Sequence, residues 1–205
     1  PYVCTFPGHG YVMHGILYVA KETPKGLASK SKDQQKVSVS VPDELKAVLF
    51  SPNTVTPCVA CLGVAPTGEV FAGVDQIGSL GKGAGKGRIV RLIDEDNDGV
   101  HDSYTIFAII DNPRGIVPVG DKLYVLHTRW GAEAKFEGMF LSVLEDKDWD
   151  GVADGPPQTL VSEISTRKFN QDRGVDHTTN GIRMGIDGWI YICLLYTSDA
   201  ADETC

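Results

Sequence analysis

An acidic nonapeptide occurs twice in the chain, and its oxygen-bearing side chains are of the type that binds hard cations. The two copies begin at Asp94 and Asp146, 52 residues apart, and both read D-x-D-x-D-G-x-x-D. Carboxylates at alternating positions, with a glycine that permits a sharp turn, can wrap Ca2+ at about 2.3–2.6 Å. The predicted ligands are four aspartates in each copy, namely Asp94, Asp96, Asp98 and Asp102, and Asp146, Asp148, Asp150 and Asp154.

Two features leave the calcium prediction open. The twelfth position, counted from each first aspartate, carries Thr105 or Pro157 instead of the bidentate Glu of a helix-loop-helix calcium site. Asp-Gly turns also form without metal, because carboxylates accept hydrogen bonds from nearby backbone N–H groups. Four carboxylates within nine residues repel one another, which favours a bound cation or wide exposure. The nonapeptides are therefore predicted to be loops that either bind calcium with modest affinity or stay empty.

The segments around the nonapeptides indicate hairpins of β-strands. Residues 87–93 and 103–110 flank the first copy, residues 138–144 and 157–164 flank the second, and these segments contain many β-branched or aromatic residues. A second hairpin pattern, an apolar strand, a tight turn and a returning strand, recurs at residues 62–74, 114–126 and 180–192. Two hairpins in series make a four-stranded meander of about 50 residues, the size of one propeller blade.

This repeat predicts an all-β protein, a β-propeller fragment with about two complete four-stranded blades and the start of a third. Residues 60–112 and 113–165 form the complete blades, and residues 178–192 begin the third, so the propeller region spans 57–192. Residues 1–56 are predicted to be an N-terminal segment, partly loop, with a candidate ring-closing outer strand between residues 37 and 50.

The C-terminal segment, residues 193–205, is predicted to be foreign to the protein. Residues 193–203 look like the translation of a transposon-end sequencing adapter, and the alternative is an ordinary polar tail. With no Met at position 1, we expect an internal fragment of a longer protein. The net charge of −8 falls to −5 without the tail, and this acidity argues against a nucleic-acid partner. No apolar run approaches the ~20 residues of a membrane span.

The pair Cys58 and Cys61 raises a redox or metal interpretation that its surroundings do not support. Leu62 stands where a c-type haem site needs His, and no second ligand pair accompanies the motif. Cysteine is also a small buried hydrophobe, so we interpret the pair as structural.

The segment Asp176-His-Thr-Thr-Asn-Gly-Ile-Arg-Met-Gly-Ile-Asp-Gly-Trp-Ile-Tyr191 resembles part of the quinoprotein sugar dehydrogenases that use pyrroloquinoline quinone (PQQ), the soluble glucose and sorbosone dehydrogenase group. The recurring hairpins and acidic loops of residues 45–192 are still more similar to the propeller domain of large secreted proteins often called membrane-bound dehydrogenases. The resemblance implies a six-bladed propeller in the periplasm or outside the cell. It also implies oxidation of a sugar or alcohol, with hydride transfer to PQQ and with calcium at the cofactor.

In that group the residue that matches His177 is the general base, and Arg183 is the candidate cofactor-binding residue. The group places Arg directly after the strand glycine, whereas Ile182 intervenes here, so a bulge would be needed to restore its direction. A haem c domain or another electron acceptor would belong to the full-length protein. The alternative is a non-catalytic propeller that binds or scaffolds a partner within a larger extracytoplasmic protein, with His177 as a structural residue.

Overall fold

The protein has 205 residues, and the computed structural model describes residues 16–19, 39–78, 81–165, 174–175 and 179–194. Regular structure in these ranges is antiparallel β-sheet, apart from 3-10 helix at Ala132–Ala134 and at Val175. The predicted all-β class is confirmed. No helix in this part of the chain is long and apolar enough to cross a membrane.

The first complete sheet is a meander of four strands that pair in chain order. Its strands are β3 (Val59–Val64), β4 (Val70–Asp75), β5 (Gly87–Ile93) and β6 (Ser103–Ile109). Every residue of β4 is buried, because apolar groups cover both faces of the sheet at this strand. A sheet covered on both faces is what a propeller blade requires.

The second complete sheet repeats this meander. Its strands are β7 (Gly115–Val119), β8 (Lys122–Trp130), β9 (Phe136–Glu145) and β10 (Gln158–Val161). In both sheets the acidic nonapeptide joins the third strand to the fourth, as the sequence predicts. The sheets are therefore two successive propeller blades.

Two shorter hairpins flank the complete blades. Strands β11 (Thr179–Met184) and β12 (Ile190–Leu194) pair with each other and begin the third blade. Strands β1 (Ile16–Val19) and β2 (Leu45–Val48) form a separate antiparallel pair. The prediction of two complete blades and the start of a third is confirmed.

The first strands of the three blades lie side by side, because β7 contacts both β3 and β11. Glycine makes this approach possible: a Cβ atom added to Gly63 would lie 2.8 Å from Ile116 Cγ2. One blade later, a Cβ atom on Gly115 would lie 2.9 Å from Ile182 Cγ1. In each blade the isoleucine of the next blade thus packs directly on a glycine backbone. The first strands β3, β7 and β11 form the inner layer of the propeller.

Three apolar clusters fill the spaces between successive blades. The N-terminal segment and the first blade meet at Phe50, and the first and second blades meet around Phe71, Phe107 and Leu123. The second blade meets the third hairpin, formed by β11 and β12, in a cluster that contains Leu126, Trp130, Met139 and Ile182. Because the core is divided among blade interfaces, each blade depends on its neighbours for burial.

The connections fall at two opposite ends of the blades. The β5–β6 and β9–β10 loops, which are the acidic loops, define one end, the acidic-loop end. The β7–β8 turn lies at the same end, because Asp146 N donates to Asp121 O at 2.8 Å. The β4–β5 loop and the link from β6 to β7 lie at the opposite end, the junction end, where Gly85 N donates to Asp111 Oδ1 at 2.7 Å. The chain passes from one blade to the next at the junction end.

Candidate functional site

The first acidic loop, residues 94–102, is organised by its own carboxylates. Asp94 Oδ2 accepts from Gly99 N at 2.9 Å, and Asp94 Oδ1 accepts from Asp98 N at 3.2 Å. Asp102 Oδ2 closes the loop by accepting from Glu95 N at 2.8 Å. Gly99 has φ of 89°, a left-handed conformation that glycine adopts without a Cβ penalty. The fixed glycine of the motif is thus required by backbone geometry.

The second acidic loop, residues 146–154, repeats these contacts at corresponding positions. Asp146 Oδ2 accepts from Gly151 N at 3.1 Å, and Asp154 Oδ2 accepts from Lys147 N at 2.8 Å. Gly151 has φ of 85°, close to the value at its counterpart. Equal sequence spacing has therefore produced equal loop conformations on the two blades.

Each loop gathers three carboxylates whose oxygens lie within 4.8 Å of one another. The first group contains Asp94, Asp96 and Asp102, and the second contains Asp146, Asp148 and Asp150. The other two predicted ligands, Asp98 and Asp154, lie outside these groups, and they accept hydrogen bonds from Val100 N and Lys147 N. Three of the four predicted ligands therefore come together in each loop.

Burial raises the pKa of the Asp94 and Asp146 carboxyls above their usual value. Hydrogen bonds from the Gly99 and Gly151 N–H groups oppose this rise in pKa. The Asp98 carboxylate adds to the rise at Asp94, and the Asp150 and Asp148 carboxylates add to the rise at Asp146. The first aspartate of each loop therefore lies in a partly dry and negative environment that disfavours its charged form. A divalent cation would favour its charged form, since an opposite charge at close range lowers a carboxyl pKa.

The predicted catalytic residue His177 lies outside the residues that the structure describes. Arg183 is on β11, opposite Tyr191 of β12, and its side chain is exposed. Between the pairs Thr179–Leu194 and Ile182–Ile192, β11 carries one residue more than β12, which is a β-bulge. A bulge was needed to restore the direction of Arg183 relative to the sugar dehydrogenases, and one is present immediately before Ile182.

The direction of Arg183 follows from its buried neighbour. Ile182 points into the cluster shared with the second blade, and strand residues alternate between faces. Arg183 therefore lies on the face of the third hairpin that points away from the second blade. The repeat aligns it with Val117 of β7, which is buried between the second blade and the third hairpin. A cation thus replaces an apolar residue at this inner-strand position.

A buried polar network at the junction end was not anticipated from the sequence. Arg114 Nη2 donates to Asp75 Oδ2 at 2.6 Å, and Asn112 Nδ2 donates to both oxygens of Asp75 at 3.1 Å. Trp130 Nε1 donates to Asn112 Oδ1 at 2.5 Å and extends the network into the second blade. The available signal was Arg114 itself, a charged residue at the start of a strand where the other repeats have Leu62 and Asn180.

The two cysteines of the C-x-x-C pair differ in environment. Burial raises the pKa of the Cys61 thiol to about 12, although the charge of Arg114 acts in the opposite direction. Cys58 is exposed, and both are free thiols. A thiol that stays protonated at neutral pH is a poor nucleophile and metal ligand, which agrees with a structural role for Cys61.

Fold and site together define the described part of the chain as a β-propeller segment with acidic loops at one end of its blades. The chain belongs to the family described as "Domain of unknown function (DUF7133)", whose model matches residues 59–203. The matched range includes residues 193–203, so the attribution of that segment to an adapter stays a prediction. No curated protein matches the chain.

Among solved structures, the chain is similar to one described as "putative oxidoreductase (glucose dehydrogenase)" from Thermus thermophilus. The two share 15% sequence identity with a TM-score of 0.45. The similarity covers 66% of this chain and 37% of the other, so this chain spans little more than a third of the length of that structure.

Proposed function

We propose that this chain is part of a quinoprotein dehydrogenase that oxidises a sugar or alcohol, with His177 as general base and Arg183 as a cofactor-binding residue. The sequence resemblance of residues 176–191 is the origin of the proposal. The observation that carries it further is the position of the Arg183 cation on the inner strand of the third blade, where the second blade has the apolar Val117.

Arg183 has the chemistry that an anionic quinone requires. No ion-pair partner of Arg183 occurs among the residues that the structure describes. A guanidinium presents a planar set of donors that matches carboxylates, and PQQ bears carboxylates. A bulge precedes this side chain, and the strand on which it lies is paired with β12. Arg183 would hold and orient the cofactor.

His177 would take the proton from the substrate hydroxyl. An unperturbed imidazole has a pKa near 6.5, so a large neutral fraction is available as a base at physiological pH. Bound PQQ would supply the hydride acceptor, and the chain would supply orientation and charge. Electrons would then pass to a haem c domain or another acceptor in the full-length protein, in the periplasm or outside the cell.

A second candidate function is a non-catalytic propeller that binds or scaffolds a partner. One observation favours it: between the two complete blades, the two buried charged groups of the junction end are paired with each other. Asp75 and Arg114 are each 3% exposed and form a salt bridge, so neither is offered to a substrate there. A crevice between these blades lies at the other end instead, beside Asp121, Asp146 and Trp149.

The two candidates are separated by cofactor binding and by activity in the full-length protein. PQQ is titrated against the protein and its binding followed by quenching of tryptophan fluorescence, for wild type, Arg183→Ala and the control Lys82→Ala. We expect Arg183→Ala to weaken binding by tenfold or more and Lys82→Ala, which also removes an exposed cation, to have no effect. Dye reduction with aldoses and alcohols then tests His177→Gln against the control Asn180→Ala.

The dehydrogenase proposal predicts loss of dye reduction in His177→Gln with PQQ binding retained. Asn180→Ala should keep both properties, because Asn180 is an exposed residue of β11 to which the proposal assigns no role. Absence of PQQ binding to the wild type, or equal activity in His177→Gln, would contradict the enzyme and leave the scaffold function.

A further inference from the structure

The two acidic loops differ at their first aspartate, although their backbones match. Asp146 is 6% exposed, and its Oδ1 is buried with no hydrogen-bond donor among the described residues. Only its Oδ2 is satisfied, by Gly151 N. A buried carboxylate oxygen without a partner has lost its hydration without replacement, so it needs a compensating charge or donor.

The corresponding aspartate of the first loop has no such deficit. Asp94 accepts hydrogen bonds at both oxygens, from Asp98 N and from Gly99 N. Asp98 N is shared with Asp96 Oδ1, also at 3.2 Å, whereas the matching donor of the second loop, Asp150 N, bonds Asp148 Oδ1 at 3.4 Å and does not reach Asp146. One oxygen of Asp146 is therefore left to an external partner.

We propose that the second acidic loop binds a hard divalent cation of the calcium class, with Asp146, Asp148 and Asp150 as carboxylate ligands. The three side chains present oxygens within 4.8 Å of one another, a separation that one cation can bridge. Oxygen ligands of this charge select calcium over softer metals. The cation supplies the partner that Asp146 Oδ1 lacks.

The cation site is built against the preceding blade. Thr105 Oγ1 of β6 donates to Gly151 O at 2.6 Å, and Ala153 N donates to Phe107 O at 2.9 Å. Arg91 of β5 also lies beside Gly151, because a Cβ atom added there would meet Arg91 Nη1. A cation that fixes the loop therefore also fixes the contact between the two blades.

Arg91 is the competing positive charge, and its existing partner limits its effect. Its guanidinium forms a salt bridge with Glu69, and both side chains are largely buried. Because Arg91 is already paired with Glu69, this one arginine does not neutralise the negative charge of the three clustered carboxylates.

The loop contains its own spectroscopic probe. Trp149 lies between Asp148 and Asp150, whereas the first loop has Asn97 at the corresponding position. Tb3+ replaces Ca2+ in oxygen-rich sites, and its emission rises when a nearby tryptophan transfers energy to it. Tryptophan-sensitised Tb3+ emission should therefore report the second loop and not the first.

The experiment titrates the full chain with Tb3+ and then displaces the ion with Ca2+. We expect saturable sensitised emission that millimolar Ca2+ reverses, and Trp149→Phe should remove the emission while calorimetric Ca2+ binding persists. Asp148→Asn and Asp150→Asn should each weaken Ca2+ binding at least tenfold. Both side chains are exposed, so these variants should fold, which circular dichroism checks. Asp96→Asn, the exposed matched variant of the first loop, should leave the emission unchanged.

Thermal unfolding tests whether the bound cation also stabilises the contact with the first blade. Ca2+ should raise the thermal unfolding midpoint of the wild type, because a ligand that binds the folded state stabilises it. The rise should disappear in Asp148→Asn. Emission that does not saturate, that survives both asparagine variants, or that is lost in Asp96→Asn would overturn the proposal. An unchanged midpoint at saturating Ca2+ would overturn the stabilising role.

Discussion

Arg114 of the second blade donates a 2.6 Å hydrogen bond to Asp75 of the first, and both side chains are 3% exposed. The pair therefore crosses the interface between two repeats, in a dry environment. Asn112 and the backbone of Pro113 provide further hydrogen bonds to the two charged groups. Removal of one partner leaves the other buried without its counter-charge.

Asp75→Ala should destabilise the protein by about 3–5 kcal/mol, because it leaves the Arg114 guanidinium buried and unpaired. The double variant Asp75→Ala/Arg114→Met should recover part of this loss, since it removes both charges. Equilibrium urea unfolding of the full chain measures both effects. Lys147→Ala is the control, because it breaks an exposed salt bridge with Glu145 and should change the unfolding midpoint little. Equal effects of Asp75→Ala and Lys147→Ala would contradict the interface role.

Gly115→Ala tests the close approach of inner strands. The new Cβ atom would lie 2.8 Å from Ile182 N, a backbone atom that cannot move aside like the end of a side chain. We expect a destabilisation of about 1–3 kcal/mol from overpacking. Thermal unfolding measures it, with Gly155→Ala as the control because a Cβ atom there would meet nothing within 4 Å. A Gly115→Ala protein as stable as the Gly155→Ala protein would mean that the inner strands separate readily.

The repeat made most of this fold predictable. The 52-residue spacing of Asp94 and Asp146 identified equivalent positions, and alternating apolar strands between turns defined four-stranded units. Contacts between blades were not predictable, because they depend on which faces meet. Nothing local to Gly115 shows that it packs on Ile182, and nothing local to Asp75 shows that it pairs with Arg114.

The candidate sites were also predictable only in part. The types and spacing of the aspartates predicted two equivalent acidic loops, and the backbone contacts are equivalent. The difference between Asp94, with both oxygens satisfied, and Asp146, with one buried and unpartnered, arises from small changes in loop packing. Arg183 could be identified in the sequence, but its direction required the bulge, which is a property of strand pairing.

Thiol alkylation should distinguish the two cysteines of the C-x-x-C pair. Burial raises the pKa of Cys61 to about 12, so the reactive thiolate is about 10⁻⁴ of the population at pH 8. We expect iodoacetamide to modify the exposed Cys58 readily and to leave Cys61 intact until the protein unfolds. Peptide mass spectrometry reads each cysteine separately, and urea-unfolded protein is the control in which both should react. Similar rates in the folded protein would contradict the raised pKa of the Cys61 thiol.

The buried His127 should make stability depend on pH. Burial lowers its pKa from 6.5 to about 4, the Thr128 carbonyl acts in the opposite direction, and the charge of Arg129 lowers it further. The neutral ring is accommodated by Ser142 Oγ, 2.9 Å from Nε2. The unfolded chain binds a proton at higher pH than the folded chain, so stability falls as the pH drops from about 6.5 to about 4. The shift corresponds to roughly 3 kcal/mol.

The measurement is the free energy of unfolding in urea at pH 7 and pH 4, for wild type and His127→Gln. Glutamine retains an amide that can bond Ser142 but does not titrate, so the variant isolates the imidazole from the carboxylates that also titrate in this range. The wild type should lose roughly 3 kcal/mol more than the variant between these pH values. Parallel losses would show that His127 accepts a proton in the folded state as readily as in the unfolded chain, and its buried contacts with Ser142 and Thr128 would then have to open at low pH.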